Sequence, residues 1–545
     1  LLLFFCFFVL AMSDPLSAAS LLKRPESLEL YNKLVPDDGS VDRLTAACWK
    51  YLLLCMETPR PSSQLAAITE RLSSLAPLLG CQADLDPIGN LRFRKNASSD
   101  AKANVPGICM QGHMDMVTTA NSDTVFDFEK SPIDAFIENG WLKARGTTLG
   151  ADNGVGLAGG LAVLEFAGKE GALAEHGLLE LLCTVDEETT MIGAEKLAPH
   201  PFLESSILLN LDSEEEYSIC IGCAGGAEYS NEFDIEQVPV SEGTSFLQIS
   251  ISGLFGGHSG VDIHKGKGNA IKILARTLLT TIEKVPFQIV SLNGGGACNV
   301  IPRESFAILA IENGKVGALK QELQDQFEKV QKVYIAVEHK EIVEGQKRES
   351  NIKLTLTDGV EALPASIASA QSTQKIIDWL SNFPDGVLRF NYDVKDLTET
   401  SINLCRTEFS SPSTLFVSRS FARSSSSPQL DFVYQQLKGL SRLAGARISE
   451  PENAFPGWDP DVTSKPLAIL TDDHKKLFDR EPHVYAIHAG LECGLIQAVY
   501  PSMICISIGP QVENAHSPDE RLSIASLDLF MRLTGKFVAS IASHY

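Results

Sequence analysis

Residues 178–212 read LLELLCTVDEETTMIGAEKLAPHPFLESSILLNLD. Two apolar runs, Leu178–Val185 and Ser206–Leu211, each end in acid: Asp186, Glu187 and Glu188 after the first, Asp212 after the second. Short apolar runs bounded in this way read as strands buried on both faces. Upstream, Val105–Met110 is a third such run and delivers His113, while the glycine-rich Gly150–Gly160 opens a helix through about Ala167. Strands alternate with helices, and the polar residues collect at the C-terminal ends of the strands. An open α/β sheet arranges its active site in that way.

Outward from this centre the chain divides. Val41–Met56 reads as a helix with Asp42 near its start, and Ser62–Leu79 as a second, amphipathic one. Residues from about 13 to 40 carry Pro15, Pro25 and Pro36 and read as a loose arm. From about Ala227 the texture changes. Phe246–Ser252 alternates like a strand, GGHSG (256–260) follows, and Gly268 to about Glu283 reads as a helix. The serine run in Arg423–Pro428 reads as a loop and a site of proteolytic nicking. Pro451–Pro460 reads as a crossing, after which Met503–Ile508, a buried strand, leads to His516. The expected architecture is a two-domain α/β protein. An open-sheet catalytic domain is built from residues 41–226 and 457–545, and an α+β lid and dimerisation domain from 227–456 is inserted in it. Residues 1–40 form an N-terminal extension.

Bulk properties exclude several classes. With 545 residues, one compact core is too small a solution. Lys and Arg total 46 against 69 Asp and Glu, a net charge of −23, which argues against nucleic acid or an anionic membrane surface as partner. No stretch reaches transmembrane length; Leu1–Met12 is apolar but too short to span, and resembles a signal-peptide core without its basic flank. Twelve cysteines are scattered, with Cys220 and Cys223 as the sole C-x-x-C, and read as buried thiols in a reducing compartment. The expected location is cytoplasmic, with the secretory pathway as the alternative if residues 1–20 are a signal peptide.

The polar clusters form a set. GHMDMV (112–117) holds His113 and Asp115; LGADNG (149–154) holds Asp152; the acids at 186–188 and 212 follow, and HSPDE (516–520) adds His516. Two histidines and several carboxylates are the ligands that a pair of divalent ions takes. Asp115 lies two residues from His113, close enough to hydrogen-bond the imidazole nitrogen that a metal leaves free. Asp152, among small neighbours, suits a bridging carboxylate. Among Asp186, Glu187 and Glu188, consecutive residues point different ways, so one ligates while a neighbour faces a water as general base. The residues themselves read as a two-metal peptidase.

These pieces, with KARGTTLGADNG (143–154), DSEEE (212–216), GGHSGVDIHKGKGNA (256–270), NVIPRE (299–304), FPGWDPD (455–461) and HAGLECG (488–494), resemble the cytosolic non-specific dipeptidases, also called aminoacyl-histidine dipeptidases, of the co-catalytic dizinc peptidases. The resemblance runs from about Val41 to the C-terminus. It implies His113, Asp152 and Asp212 on one zinc and Asp152, Glu188 and His516 on the other, with Mn2+ or Co2+ as other fitting ions. It implies that Asp115 orients His113 and that Glu187 is the general base. His258 resembles a lid histidine that reaches a partner subunit's site, and Arg419 the arginine that clamps the substrate carboxylate. Asn299 and Gly457 are further candidates for substrate contact, and His264 and His488 are read as structural. The implied reaction is hydrolysis of unblocked L-dipeptides, Xaa-His among them, by a homodimer joined through the lid. The alternatives are a related carboxypeptidase or N-acyl amino acid hydrolase, or a non-catalytic peptide-binding relative.

Overall fold

The strands that the apolar runs predict do form, and they lie side by side. In the computed structural model, which describes residues 14–169, 171–335, 351–359 and 364–545, Ile108–His113 pairs in parallel with both Leu179–Thr184 and Ile207–Asn210. Ile207–Asn210 in turn pairs in parallel with Ile504–Ser507. These four strands are the middle of an eight-stranded sheet, with antiparallel strands outside them. Leu181, Leu182, Leu208, Leu209 and Ile506 are essentially inaccessible. Full burial of each such side chain is worth about 1.5–3 kcal/mol. Because the strands run parallel, their C-terminal ends share one edge of the sheet.

The chain forms two compact units. One comprises the described residues up to Gly222 with Asp461–Ala486 and Glu492–Tyr545, the other Cys223–Pro460 with Ile487–Leu491. The cuts fall a few residues from those expected at 226 and 456. The return of Ile487–Leu491 to the second unit is a crossing that the sequence reading did not foresee.

Three local expectations are corrected. The arm expected at 13–40 is folded from Asp14 onward: helices Ala18–Leu21 and Pro25–Leu34 bury Leu21, Leu30 and Leu34. The backbone N–H groups of Lys23 and Arg24 donate to the Glu57 carboxylate at 3.0 and 2.9 Å. The prolines there are compatible with order because Pro25 opens a helix, where its missing N–H costs nothing. The apolar run Leu1–Met12 lies outside the described residues. The single helix expected over Ser62–Leu79 is two, Ala66–Ser73 and Ala76–Leu79, because Pro77 fits only the first turn of a new helix. Nor is the serine run an exposed loop. Arg423 and Ser424 end strand Leu415–Ser424, Ser424 and Ser425 are buried, and Ser427–Ala444 is helical. The Ser424 and Thr400 hydroxyls share a hydrogen bond of 2.9 Å.

The second unit is built on a ten-stranded sheet, its long strands antiparallel: Thr244–Ser252 with Ser305–Glu312, Gln288–Gly295 with Thr398–Ser410, and Leu415–Ser424 with Gly225–Asp234. Helices Ala270–Ile282, Ala370–Asn382 and Ser427–Ala444 pack on it around a core that includes Leu247, Leu274, Leu309, Trp379 and Phe416. No helix of the described residues is long and apolar enough to cross a membrane.

Candidate metal centre

The shared edge of the parallel strands assembles the predicted cluster in the first unit. His113 ends its strand. Glu187 and Glu188 open a short helix just past strand Leu179–Thr184, and Asp212 lies two residues past Asn210. Asp152 lies near the start of helix Ala151–Phe166, with non-helical φ −79° and ψ 112°. Its neighbour Asn153 donates to the Leu211 carbonyl at 2.9 Å. Gly112 and Gly156 make room for that side chain, since a Cβ on either would stand 2.2 Å from Asn153 Oδ1. The glycine richness of this stretch therefore serves a close packing that aims Asp152.

Asp152 faces two ways. Its Oδ1 is 2.9 Å from His113 Nε2, and its Oδ2 is 3.2 Å from His516 Nε2. Asp212 Oδ1 is 3.6 Å from His113 Nε2, and Glu188 Oε2 is 3.0 Å from His516 Nε2. His113, Asp152 and Asp212 thus form one potential ligand group, and Asp152, Glu188 and His516 a second that shares Asp152. A third grouping, His113 with Glu187 and Glu188, also lies within ligand distance.

Asp115 does more than the sequence reading assigned. His113 Nδ1 lies 3.1 Å from its carbonyl oxygen and 3.4 Å from its Oδ1. Its carboxylate also accepts the backbone N–H groups of Glu187 and Glu188, at 3.1 and 3.2 Å, and the Ser62 hydroxyl at 2.8 Å. One buried side chain therefore positions both an imidazole and the acidic turn. Asp186 turns elsewhere and accepts the backbone N–H of Ser63, which leaves Glu187 and Glu188 as the inward pair.

The charge balance calls for cations. Burial works against charge on His113, yet the Asp212, Asp115 and Asp152 carboxylates hold its pKa well above the ordinary value. Hydrogen bonds to Asp152 and Glu188 push His516 up to about 11. Glu187 is pushed up to about 8 by burial and by the Glu492, Glu188 and Asp152 carboxylates. Burial and the same kind of repulsion raise Asp212. Carboxylates this crowded stay ionised only beside positive charge. Glu188 Oε1 is buried without a hydrogen-bond partner among the described residues. Two histidines, several carboxylates and an orphaned ligand oxygen fit a pair of divalent ions.

Three residues that the sequence reading gave no role support this edge. Arg60 is buried and donates from Nη1 to the carbonyls of Met114 and Asp115, at 3.0 and 2.6 Å, and from Nη2 to that of Gly150. It ties the loop after His113 to the turn before Asp152. Glu520 accepts four backbone N–H groups, from Leu149 at 2.7 Å, Gly150 at 3.0 Å, Ala151 at 2.8 Å and Asp152 at 3.2 Å. A carboxylate here meets the positive end of the helix that carries Asp152. Glu492, from HAGLECG, accepts Gln111 Nε2 at 2.6 Å and Thr184 Oγ1 at 2.8 Å, and burial pushes it up to about 7. Position in a dense motif was the available signal for Glu492 and Glu520; for Arg60 there was none. Glu520→Gln replaces one acceptor oxygen by an NH2 that faces N–H donors. It is expected to lower metal affinity about 10–100-fold, as loss of a ligand's supporting partner does, measured by metal titration into chelated protein.

The four candidate substrate contacts lie in the second unit. His258 Nδ1 accepts the N–H groups of Gly260 and Val261, both at 3.2 Å, which fixes the neutral tautomer with the proton on Nε2. Burial and the nearby Arg423 lower its pKa. The Asn299 carbonyl accepts the Ser259 N–H at 2.8 Å. Gly457 is packed against backbone, so that a Cβ would lie 2.8 Å from Gly225 N and 3.0 Å from Ser424 O. Arg419 is 43% exposed and 3.6 Å from Glu452. Four residues on, Arg423 is 4% exposed, stacks on Phe421 at 4.3 Å and has no acidic partner among the described residues. Burial pushes its pKa down to about 10. His488, read as structural, bonds Ser401 Oγ at 2.7 Å, and burial with Arg423, His264 and His258 nearby pushes it down to about 3.

Comparison with known proteins gives the family. The family model described as peptidase family M20/M25/M40 matches residues 109–540. A cytosol non-specific dipeptidase of Escherichia coli (strain K12) is 36% identical over 493 residues, 90% of this chain and 97% of that protein. The solved structure of an aminoacylhistidine dipeptidase from Vibrio alginolyticus superposes with a TM-score of 0.80 at 32% identity, covering 93% of this chain and 98% of that one. A probable succinyl-diaminopimelate desuccinylase of Staphylococcus epidermidis matches only locally, 30% identical over 114 residues, 20% of this chain and 26% of that protein. The chain belongs to peptidase family M20/M25/M40.

Proposed function

We propose that this member of the family is a two-metal dipeptidase that hydrolyses unblocked L-dipeptides to free amino acids. The observation that carries the reading is the pair of ligand groups that share Asp152, with Glu187 beside them. His113, Asp152 and Asp212 would hold one ion and Asp152, Glu188 and His516 the other. Zinc suits this set, as do Mn2+ and Co2+. When bound, the ions polarise the scissile carbonyl and make water a stronger acid.

The chain's own groups do the rest. Glu187, whose Oε2 is 4.0 Å from His113 Nε2, takes a proton from the attacking water as its oxygen bonds the carbonyl carbon. It delivers that proton to the departing nitrogen as the C–N bond breaks. Asp115 keeps Glu187 and His113 in register through the hydrogen bonds described above. His258, with its proton on Nε2, is a donor suited to the developing oxyanion in a partner subunit's site, as the resemblance implies. Asn299 and Gly457 remain weaker candidates for substrate contact, each with a backbone role of its own.

For the substrate's free carboxylate we favour Arg423 over Arg419. A buried guanidinium without an acid of its own suits a ligand carboxylate, whereas Arg419 already faces Glu452. Arg423→Met is expected to lower kcat/KM for dipeptides about 100-fold, the scale of one charged hydrogen-bonded pair. Arg419→Met should stay within about threefold, since exposed ion pairs contribute little. Steady-state kinetics on both variants checks this, and the reverse ranking returns the role to Arg419.

The reading extends to a cytoplasmic homodimer joined through the second unit. Exposed Phe306 and Phe390 on strands of its sheet support the interface. The test of the whole is metal content with turnover. About two ions per chain, with release of amino acids lost on chelation and restored by added metal, is the expected result. Turnover of N-acetylated amino acids in preference to dipeptides would move the assignment to an acyl hydrolase. Bound dipeptide without turnover would make the chain a binding protein.

A further inference from the structure

We propose that Cys298 and Cys405 form a reversible dithiol site, which a small disulfide converts to an intrachain disulfide. Their sulfurs lie 2.7 Å apart, far inside van der Waals contact. Both belong to the second unit. Cys405 is fully buried on strand Thr398–Ser410, at the point where the register against Leu415–Ser424 shifts between Leu404 and Arg406. Cys298 is partly exposed, in the turn that follows strand Gln288–Gly295.

The backbone holds the two thiols in place from both sides. Gly296 N–H donates to the Cys405 carbonyl at 3.1 Å. Gly295 has φ +73°, and a Cβ there would meet the same carbonyl at 1.8 Å, so this turn requires glycine. Asn403 Nδ2 donates to the carbonyls of Cys298 and Val300, at 3.1 and 2.9 Å. Both thiols are thus presented by segments pinned to each other, the arrangement that favours ring closure over a lasting adduct. The neighbouring sulfur and burial together hold the proton on Cys405, which leaves Cys298 as the thiol that reacts first.

The chemistry balances by exchange with a low-molecular-weight disulfide. The Cys298 thiolate attacks one sulfur of that disulfide, whose S–S bond breaks and releases one small thiol. Cys405 then gives up its proton and attacks Cys298 Sγ, which releases the second small thiol. The two cysteines lose two electrons and two protons, and the small disulfide gains them. Among the described residues the other cysteines are buried, except Cys81, which is partly exposed. Burial pushes its thiol up to about 11.

The site has a structural consequence. Asn299 follows Cys298, and its carbonyl holds the Ser259 N–H. Val300 and Ile301 pair with His258 and Gly257. The disulfide fastens to strand Thr398–Ser410 the segment that braces His258.

The test uses full-length protein with its metals and oxidised glutathione as the probe. Expected are the loss of two thiols per chain, a peptide pair linked through Cys298 and Cys405, and recovery of both with dithiothreitol. Cys405→Ser should trap glutathione on Cys298, and Cys298→Ser should give neither adduct nor link. Amide exchange over residues 296–301 should slow at least threefold on oxidation. A persistent glutathione adduct on wild-type Cys298, or reaction at Cys81 alone, overturns the site. A link that leaves amide exchange unchanged overturns its bracing consequence.

Discussion

Glu187→Gln is expected to lower dipeptide turnover about 10²–10⁴-fold, the range for a lost general acid–base group, while about two metal ions per chain remain. The substitution keeps the shape of the side chain and removes its capacity to carry a proton. It also keeps the Glu187 backbone N–H that donates to Asp115, so the turn that presents Glu188 stays in place. The geometry contains a rival assignment: Glu187 also lies within ligand distance in the grouping with His113 and Glu188. If Glu187 were a ligand, the amide variant would lose an ion along with its activity. Metal analysis beside the kinetics therefore separates a base from a ligand. The burial, with carboxylate crowding, that pushes Glu187 up to about 8 has the sign a proton carrier needs, since it strengthens the group as a base. Bound cations draw the value back down toward neutrality.

The parts of this molecule that were legible in the sequence share a physical cause. A strand buried on both faces is mostly apolar, so Leu179–Thr184, with its one buried acid Glu180, Ile207–Asn210 and Ile504–Ser507 stood out, and with them the edge where Glu187, Asp212 and His516 belong. What stayed hidden were contacts between residues far apart in the chain. Arg60 acts on the carbonyls of Met114, Asp115 and Gly150, and no local pattern marks an arginine that binds main chain. Glu520 caps a helix that begins about 370 residues upstream. Arg419 and Arg423 lie on one strand four residues apart, although the sequence reading takes Arg419 as the clamp and Arg423 as the start of a loop; burial separates them, and the alternation of a strand does not, because both face the same side. The N-terminal helices were missed for a simpler reason. Prolines were read as breakers, although Pro25 is a helix opener, and Leu21, Leu30 and Leu34 bury a face too short for periodicity to reveal.

Asp152→Ala should abolish metal binding as well as turnover, because it removes the one side chain common to both ligand groups. Bound metal is expected to fall from about two ions per chain to near none at micromolar free metal. Turnover should fall by more than about 10³-fold, since the ions contribute several kcal/mol and each 1.36 kcal/mol is tenfold. The stability of the chelated protein distinguishes this site from an ordinary acidic cluster. Burial raises the Asp152 carboxyl, but the hydrogen bonds from His113 and His516 outweigh it and hold the pKa well below the usual range. A depressed carboxylate stabilises the fold above its unfolded pKa, and that contribution is lost as pH falls through the folded value. The chelated Asp152→Ala protein should therefore melt lower than chelated wild type at pH 7. Asp212 has the opposite sign, because burial and the Asp152, Glu187 and Glu492 carboxylates raise it. A raised carboxyl costs stability once pH exceeds its unfolded value, so chelated Asp212→Asn should melt higher than chelated wild type, although it binds metal more weakly. Thermal melts of the three chelated proteins read both signs at once. Equal shifts in the same direction would mean that the carboxylates act as general surface charge in the chelated protein, and two ions retained by Asp152→Ala would mean that Asp152 is not shared between the ligand groups.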